Sequence, residues 1–272
     1  ASVRFYQGVS YPELIMNVPS LDGEVYQISN KEELYAFALF VNNVDASANA
    51  VLTADITVNI GVLKSDGSLA DDVSGFTTWT PIGNNNIPYT GTFDGQGHTI
   101  SGLYFKDSNT DNVGLFGYNK GTIKNVGVVD SYLYGNYNVG GVCGGNEGTI
   151  TGCYNTGTVS GRGEYVGGVC GYNYGTITGC YTNSGVVYGY NKGTVTYCDV
   201  KSDNDFTNGT VCSLLNTALK DANASVRFYQ GANYPELIMN VPSLVEGVYQ
   251  ITNKEELYAF AQLVNKNVET SA

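Results

Sequence analysis

The sequence has little of what enzymes and nucleic-acid-binding proteins rely on. It holds one histidine, His98, and three arginines, Arg4, Arg162 and Arg227. Charged residues make up 14% of the chain and sum to −12, with no basic cluster. Such a field repels nucleic acid and anionic membrane surfaces, and it helps keep a repetitive β protein in solution. No apolar run approaches the roughly 18 residues that a membrane span needs. Ala1-Ser2-Val3-Arg4 is not a basic region leading into an apolar stretch, so an export signal would lie upstream or already be removed. The absence of a Cys-x-x-Cys pair argues against a zinc ribbon. No Gly-x-Ser-x-Gly elbow accompanies His98, which sits in a strand-like segment beside glycines and is expected to be a surface strand residue. With 2 methionines and one long stretch of helical periodicity, a helical globule is excluded.

What is abundant is glycine, at 35 positions, and tyrosine, at 22. Glycine supplies positive φ at tight turns, while β-branched and aromatic residues suit pleated strands. The expectation is an all-β chain of many short strands, in one large domain or two small ones.

Self-similarity organises the 272 residues. The first 42 residues recur at an offset of 223, as 224–265, with 34 positions identical. This predicts tandem modules: residues 1–20 as the tail of a preceding copy, 21–223 as the module, and 224–272 as a closing segment plus the start of the next module. Within the block, Ser29 and Asn30 can cap a helix, with Glu32 and Glu33 three residues further on as in a capping box. Leu34, Phe37, Ala38 and Val41 then share one face. The second copy repeats the pattern from Thr252 and Asn253 to Val264. Capping accounts for the glutamate spacing without a catalytic pair, and the helix could cover the open end of a β stack.

A shorter period fills about 112–200. Gly114-Leu115-Phe116-Gly117 returns 27 residues on as Gly141-Val142-Cys143-Gly144, and again as Gly168-Val169-Cys170-Gly171. Gly121-Thr122-Ile123 returns with the same step at 148–150 and 175–177, then after 18 residues as Gly193-Thr194-Val195. Asn119, Asn146, Asn173 and Asn191 keep register with these triplets. The period fits one coil of a solenoid with about three strands of 4–6 residues, in which equivalent positions stack at the strand spacing of roughly 4.8 Å. Ile123, Ile150, Ile177 and Val195 then form an inward ladder flanked by outward threonines. Asparagine and glycine suit the corners. Val51–Val58, Trp79–Gly83, Gly91–Asp94 and Thr99–Phe105 read as earlier strands. A propeller needs a longer period, so the fold class expected is a parallel, right-handed β-helix solenoid with a short capping α-helix.

At these residues the chain resembles the GLUG-motif family of bacterial surface proteins. The name motif stands as Gly114-Leu115-Phe116-Gly117, with valine for leucine in the next two coils. The lead-in (NKEELYAFALFVN, AVLTADITV, WTPIG, YTGTFDGQGHTISGLYF) and the closing segment from Val211 to Leu237 also look like that family's. The resemblance implies a parallel β-helix in exported, adhesin-like proteins, with structural rather than catalytic motif positions. It points to a secreted or cell-surface location and a non-enzymatic role, with no cofactor.

The remaining candidates are weighed on their residues. Cys143/Cys170 and Cys153/Cys180/Cys198 hold ladder positions, so buried free thiols are the first reading and disulfides between neighbouring coils the second; Cys212 completes the six. Asp107-Ser108-Asn109-Thr110-Asp111 and Asp203-Asn204-Asp205 alternate oxygen ligands but lack the glycine and closing glutamate of a calcium loop, which leaves polar turns. Asp94, Asp130, Glu147, Glu164 and Asp199 are scattered over coils, unlike the carboxylate cleft of a β-helix polysaccharide-degrading enzyme, and Asp94 is expected to fix a turn. A short Thr-x-Thr ladder resembles antifreeze solenoids, but Lys124 breaks it. The candidate ligand-binding residues are two tyrosine registers, Tyr118, Tyr172 and Tyr190, and Tyr154 and Tyr181. If exposed, they suit an extracellular glycan or a host or matrix protein; packed at corners, they are structure alone. A passive stalk of linked modules is the other expectation.

Overall fold

The structure is a computed structural model that describes residues 2–7, 12–183, 185–196, 198–200, 215–217, 227–230, 235–245 and 248–265. The Asp203–Asp205 stretch, Cys212, and residues 211–214 and 218–226 of the closing segment lie outside them.

Residues 49–200 wind into a parallel β-helix of about six turns, with sheets in which six, six and four of its strands stack; Val25–Ile28 and Ser20–Asp22 extend the first of these to eight. Register follows the sequence period: Ile123 pairs with Ile150, Ile150 with Ile177, and Ile177 with Val195, all parallel. Upstream the same column continues through Phe93, Ala50 and Tyr26. The isoleucines are fully buried, each worth roughly 1.5–3 kcal/mol of burial. The flanking threonines stack outward beside them, Thr149 on Thr176 and Thr151 on Thr178. Lys124 takes the second threonine place in the first coil and pairs with Asp94 at 3.1 Å.

The two 27-residue coils that begin at Phe116 and Cys143 have more corners than the period alone suggests. Instead of three strands of 4–6 residues, one turn holds Phe116–Asn119, Thr122–Lys124, Gly127–Val129, Tyr132–Gly135 and Val139–Gly140. The interruptions are left-handed residues: Asn125 (φ 56°), Asp130 (φ 47°) and Asn138 (φ 57°), with Gly152 and Gly179 following Asn125 at the 27-residue step. Short polar side chains tolerate this region, so each asparagine turns the chain after two to four strand residues. Trp79–Gly83 forms no strand either; Ile82 makes an isolated bridge to Phe116. Pro81 withholds the N–H that a ladder needs, and Trp79 instead buries its ring edge-on to Tyr35 and donates Nε1–H to the Gly114 carbonyl at 3.1 Å.

The glycines that open and close each Gly-x-x-Gly motif are there because the chain passes too closely for a Cβ. At Gly144 a Cβ would lie 2.6 Å from the Asn112 carbonyl carbon, and at Gly141 it would overlap the Asn155 amide. The two residues between point into the core: Leu115 and Phe116, Val142 and Cys143, and Val169 and Cys170 are all fully buried.

Helix α1 (Lys31–Asn43) closes the N-terminal end. Asn30 is its cap, accepting from the Glu33 N–H at 3.0 Å. Glu33 reaches back to the Ser29 N–H and hydroxyl, both at 2.8 Å, so Glu33 forms the box and Glu32 adds charge to the first turn. Leu34, Phe37, Ala38 and Val41 are fully buried, and Phe37 meets the interior rings of Phe93 and Tyr89 at 6.1 and 6.5 Å. Antiparallel pairing is confined, among the described strands, to hairpins outside the coils: Ser2–Gln7 with Pro12–Val18, Ser20–Asp22 with Val25–Ile28, Arg227–Gln230 with Pro235–Ile238, and Ser243–Val245 with Val248–Gln250.

Candidate functional site: a tyrosine face on the repeat coils

The four-stranded sheet carries Tyr118, Gly145, Tyr172 and Tyr190 as one column. Gly145 separates Tyr118 from the other two. The Tyr118 ring folds over that gap, where a Cβ would sit 2.8 Å from its ring carbons. Tyr172 and Tyr190 stack with centroids 5.2 Å apart and planes within 6°. Two rings not foreseen as ligand contacts frame them. Tyr165 leans on Tyr172 and Tyr190 at 5.7 and 5.0 Å, and Tyr174 lies 4.6 Å from Tyr172. Lys192 places its ammonium 5.6 Å from the Tyr174 ring and 5.8 Å from the Tyr190 ring, a cation–π pairing.

Both added rings have a signal in the repeat. Tyr174 falls in the column Lys120, Glu147, Tyr174, Lys192, at steps of 27, 27 and 18. Tyr165 falls where earlier coils have the left-handed corners Asn112 (φ 58°) and Asn138 (φ 57°), and it keeps φ 66°. A bulky residue in that region is strained, and such outliers concentrate where a side chain must be aimed.

Hydrogen bonds tie the face together. The Tyr118 hydroxyl donates to Glu147 Oε1 at 2.7 Å, and Lys120 pairs with Glu147 Oε2 at 2.9 Å. These contacts hold the Glu147 carboxyl below its ordinary range. Burial, then the bond to Glu147, raises the Tyr118 hydroxyl. A hydrogen bond with Tyr174 pushes Tyr172 up to about 12 and draws Tyr174 down. Hydrogen bonds to Tyr190 and Tyr174 raise Lys192. The result is a ridge of ring faces and hydroxyls with the ammoniums of Lys120 and Lys192 and the carboxylate of Glu147.

The second tyrosine register is different. Tyr154 and Tyr181 stack at 5.0 Å and 4°, but they are 7% and 0% exposed. Phe228 closes over Tyr181 at 5.6 Å, and Leu215 packs in the same cluster. Of the two arrangements open for this register, exposed or packed, the rings are packed, because Phe228 and Leu215 cover them with apolar side chains, and Tyr154 and Tyr181 are not ligand contacts.

The other candidates are structural in place. His98 lies at the exit of a turn rather than in a strand, with Nδ1 3.3 Å from Asp55 Oδ1. Asp94 fixes its turn, accepting from the Gln96 N–H at 2.9 Å and from Asn125 Nδ2 at 3.0 Å. Asp107 likewise accepts from the Asn109 N–H and from Thr110 Oγ1. Among the described residues no group of three or more His, Cys, Asp or Glu side chains is placed to hold a metal ion. A cleft of about 380 Å³ beside Asn42, Pro81 and Asn112 has one ionisable lining residue, Asp111. Cys143, Cys153, Cys170, Cys180 and Cys198 are free thiols. They are stacked as the period suggested, with Cys180 Sγ 3.4 Å from the Cys153 nitrogen and Cys198 Sγ 3.4 Å from the Cys180 nitrogen. Burial pushes the Cys143 and Cys180 thiols well up.

Comparison with known proteins bears on the coils directly. The family model described as the GLUG motif matches residues 135–160, a stretch that contains the valine-bearing copy Gly141-Val142-Cys143-Gly144. Halomucin from Haloquadratum walsbyi is 36% identical over 128 residues, which is 46% of this chain and 1% of that protein's length. The crystal structure of a candidate immunoglobulin A1 protease from Bacteroides ovatus aligns with a TM-score of 0.45 and 18% identity, covering 67% of this chain and 68% of that one. At that TM-score the likeness carries no argument about function. The family match falls on the coil whose glycines and buried pair were described above, so the chain carries a GLUG motif at residues 135–160.

Proposed function

We propose that the chain is a non-catalytic extracellular binding module that holds a glycan or an extended peptide against the face built by Tyr118, Tyr165, Tyr172, Tyr174 and Tyr190. The observation that carries this reading is the parallel stack of Tyr172 on Tyr190 with Lys192 at its edge. Rigid rings on a fixed scaffold give large contact area at low entropic cost, and their hydroxyls supply orientation. The GLUG motif and the likeness to halomucin support an extracellular setting. No helix among the described residues is long and apolar enough to cross a membrane. A non-catalytic role is supported by the dispersal of carboxylates into turns and ion pairs.

The test is binding of the purified chain to a glycan array and to host matrix proteins, followed by titration of Tyr172→Ala. A loss of about tenfold or more in affinity, roughly 1.4 kcal/mol, is expected at a temperature where circular dichroism shows the variant fully folded. Tyr258→Ala, on the exposed side of the C-terminal helix, serves as control. Equal affinity for wild type and Tyr172→Ala overturns the site.

A second reading, a passive stalk, is favoured by the 223-residue duplication. In it 1–20 ends one module, 21–223 is a module, and 224–272 closes it and starts another. Small-angle scattering of a two-module polypeptide tests it, with an elongated particle expected and a compact one contradicting it.

A further inference from the structure

The two copies of the duplicated block are built alike, yet opposite faces of them are covered. In the first, α1 lies against the hairpin strand Pro12–Val18. In the second, α2 (Lys254–Asn265) lies against Pro235–Ile238. Ala259 and Leu263 are buried in one cluster with Ile238 of that strand, and their counterparts Ala36 and Phe40 are buried as well, Phe40 with its ring 5.2 Å from Tyr26. The caps coincide as well: Asn253 accepts from the Glu256 N–H at 2.8 Å, and Glu256 accepts from the Thr252 hydroxyl at 2.8 Å.

The outward helix face differs. Leu34 and Val41 are 0% exposed beneath the first coil, whereas their counterparts Leu257 and Val264 are 54% and 49% exposed. Ala38 is buried and Ala261 exposed, and Phe37 is buried where Phe260 is half-buried. The hairpin shows the reverse. Phe228 is buried against Tyr181, and Met239 sits over Gly97, 2.8 Å from where a Cβ would be. Met16, the counterpart of Met239, is 50% exposed.

We propose that this block couples successive β-helices. Its hairpin seats on the flank of the β-helix that precedes it, and its helix carries a preformed lid for the first coil of a β-helix that follows. The occupant of the exposed α2 face is a second copy of the strands Asn49–Leu52 and Thr92–Asp94 with the ring of Tyr89. The molecule already contains that complex once, where Phe37 meets Phe93 and Tyr89. All four residues of the lid face are identical in the two copies: Leu34 and Leu257, Phe37 and Phe260, Ala38 and Ala261, Val41 and Val264. Of the two helix substitutions, Leu39 to Gln262 falls at an exposed position, and Phe40 to Leu263 exchanges one buried apolar side chain for another. Leaving such a stripe in water is unfavourable at roughly 25 cal/mol per Å², and a contiguous apolar patch marks an interaction site. The coupling rests on the tandem reading only for its occupant, and it is independent of what the tyrosine face binds.

Hydrogen exchange tests it. In this chain the amides of 254–265 exchange rapidly while those of 31–43 are protected. In a polypeptide with residues 43–223 repeated after Asn265, exchange in 254–265 slows by about 100-fold or more. Leu257→Asp leaves the melting temperature of this chain unchanged and abolishes the new protection in the longer polypeptide. Unchanged exchange after extension overturns the proposal, even if scattering shows an elongated two-module particle, and so does a Leu257→Asp variant that destabilises this chain as strongly as Leu34→Asp.

Discussion

Asn146 donates from Nδ2 to Asn173 Oδ1 at 2.8 Å, one coil apart, with both amides fully buried. Asn119 donates to Asn146 in the same way at 2.8 Å, and Asn173 to Asn191 at 2.7 Å. Each amide also serves its own corner, as when the Gly148 N–H donates to Asn146 Oδ1 at 3.2 Å. The column therefore satisfies the corner backbone that the glycines leave bare.

Removing one member strands donors and acceptors on both neighbours. Asn146→Leu is expected to destabilise the coils by roughly 2–4 kcal/mol, from about 1–3 kcal/mol for each buried group left unpaired. Denaturant unfolding monitored by circular dichroism measures it. Asn86→Leu, on an exposed loop, stays within about 0.5 kcal/mol of wild type.

The motif glycines should resist even a methyl group. Gly144→Ala, facing Asn112 backbone at 2.6 Å, is expected to cost about 1–3 kcal/mol. Gly75→Ala, with open space around it and no positive φ, should be neutral or slightly stabilising. Equal melting temperatures for the two variants would remove the steric account of the motif.

The sequence was most informative wherever a side chain repeats at the coil step. The columns of Ile123, Ile150 and Ile177 and of the four asparagines needed only counting, because stacking converts period into contact. The number of corners was not legible. A left-handed asparagine such as Asn125 looks like any other polar residue until its φ is known, so the period alone predicts strands longer and fewer than those of the 27-residue coils. Pro81 does announce the break in Trp79–Gly83, but the tryptophan and isoleucine around it imitate a strand. The burial of Tyr154 and Tyr181 had no local signal at all. Their cover, Phe228, comes from the duplicated block, whose hairpin docking cannot be inferred from its own pattern.

The Glu147 carboxylate provides a pH handle on the tyrosine face. Its pKa is held below the ordinary 4.5, first by the Tyr118 hydroxyl and then by Lys120. A depressed carboxylate stabilises the fold fully above its unfolded value, and the contribution fades as pH falls from about 4.5 through the folded value. Tyr118→Phe is expected to raise the Glu147 pKa toward 4.5 in a carboxyl-detected NMR titration. An unchanged value would mean the hydroxyl is not its partner.

Thiol reactivity should follow burial. Cys143 and Cys180, with burial raising them, are expected to resist alkylation in the folded protein and to react fully in denaturant. Cys198 is half-buried and drawn down by its hydrogen bond with Cys180, so it should label before Cys143, Cys153, Cys170 and Cys180 in a time course read by peptide mass. First labelling at Cys143 would contradict the packing.

The central claim is that strands one coil apart pair in parallel at the sequence period. The Thr149 N–H donates to the Gly121 carbonyl at 2.9 Å, Thr176 to Gly148 at 2.9 Å, and Thr194 to Gly175 at 2.9 Å. Through-hydrogen-bond scalar couplings on a deuterated, doubly labelled sample read these links directly. The account predicts couplings from Thr149, Thr176 and Thr194 to the carbonyl carbons of Gly121, Gly148 and Gly175. Couplings that instead join Thr149–Thr151 to a strand running the opposite way would contradict it.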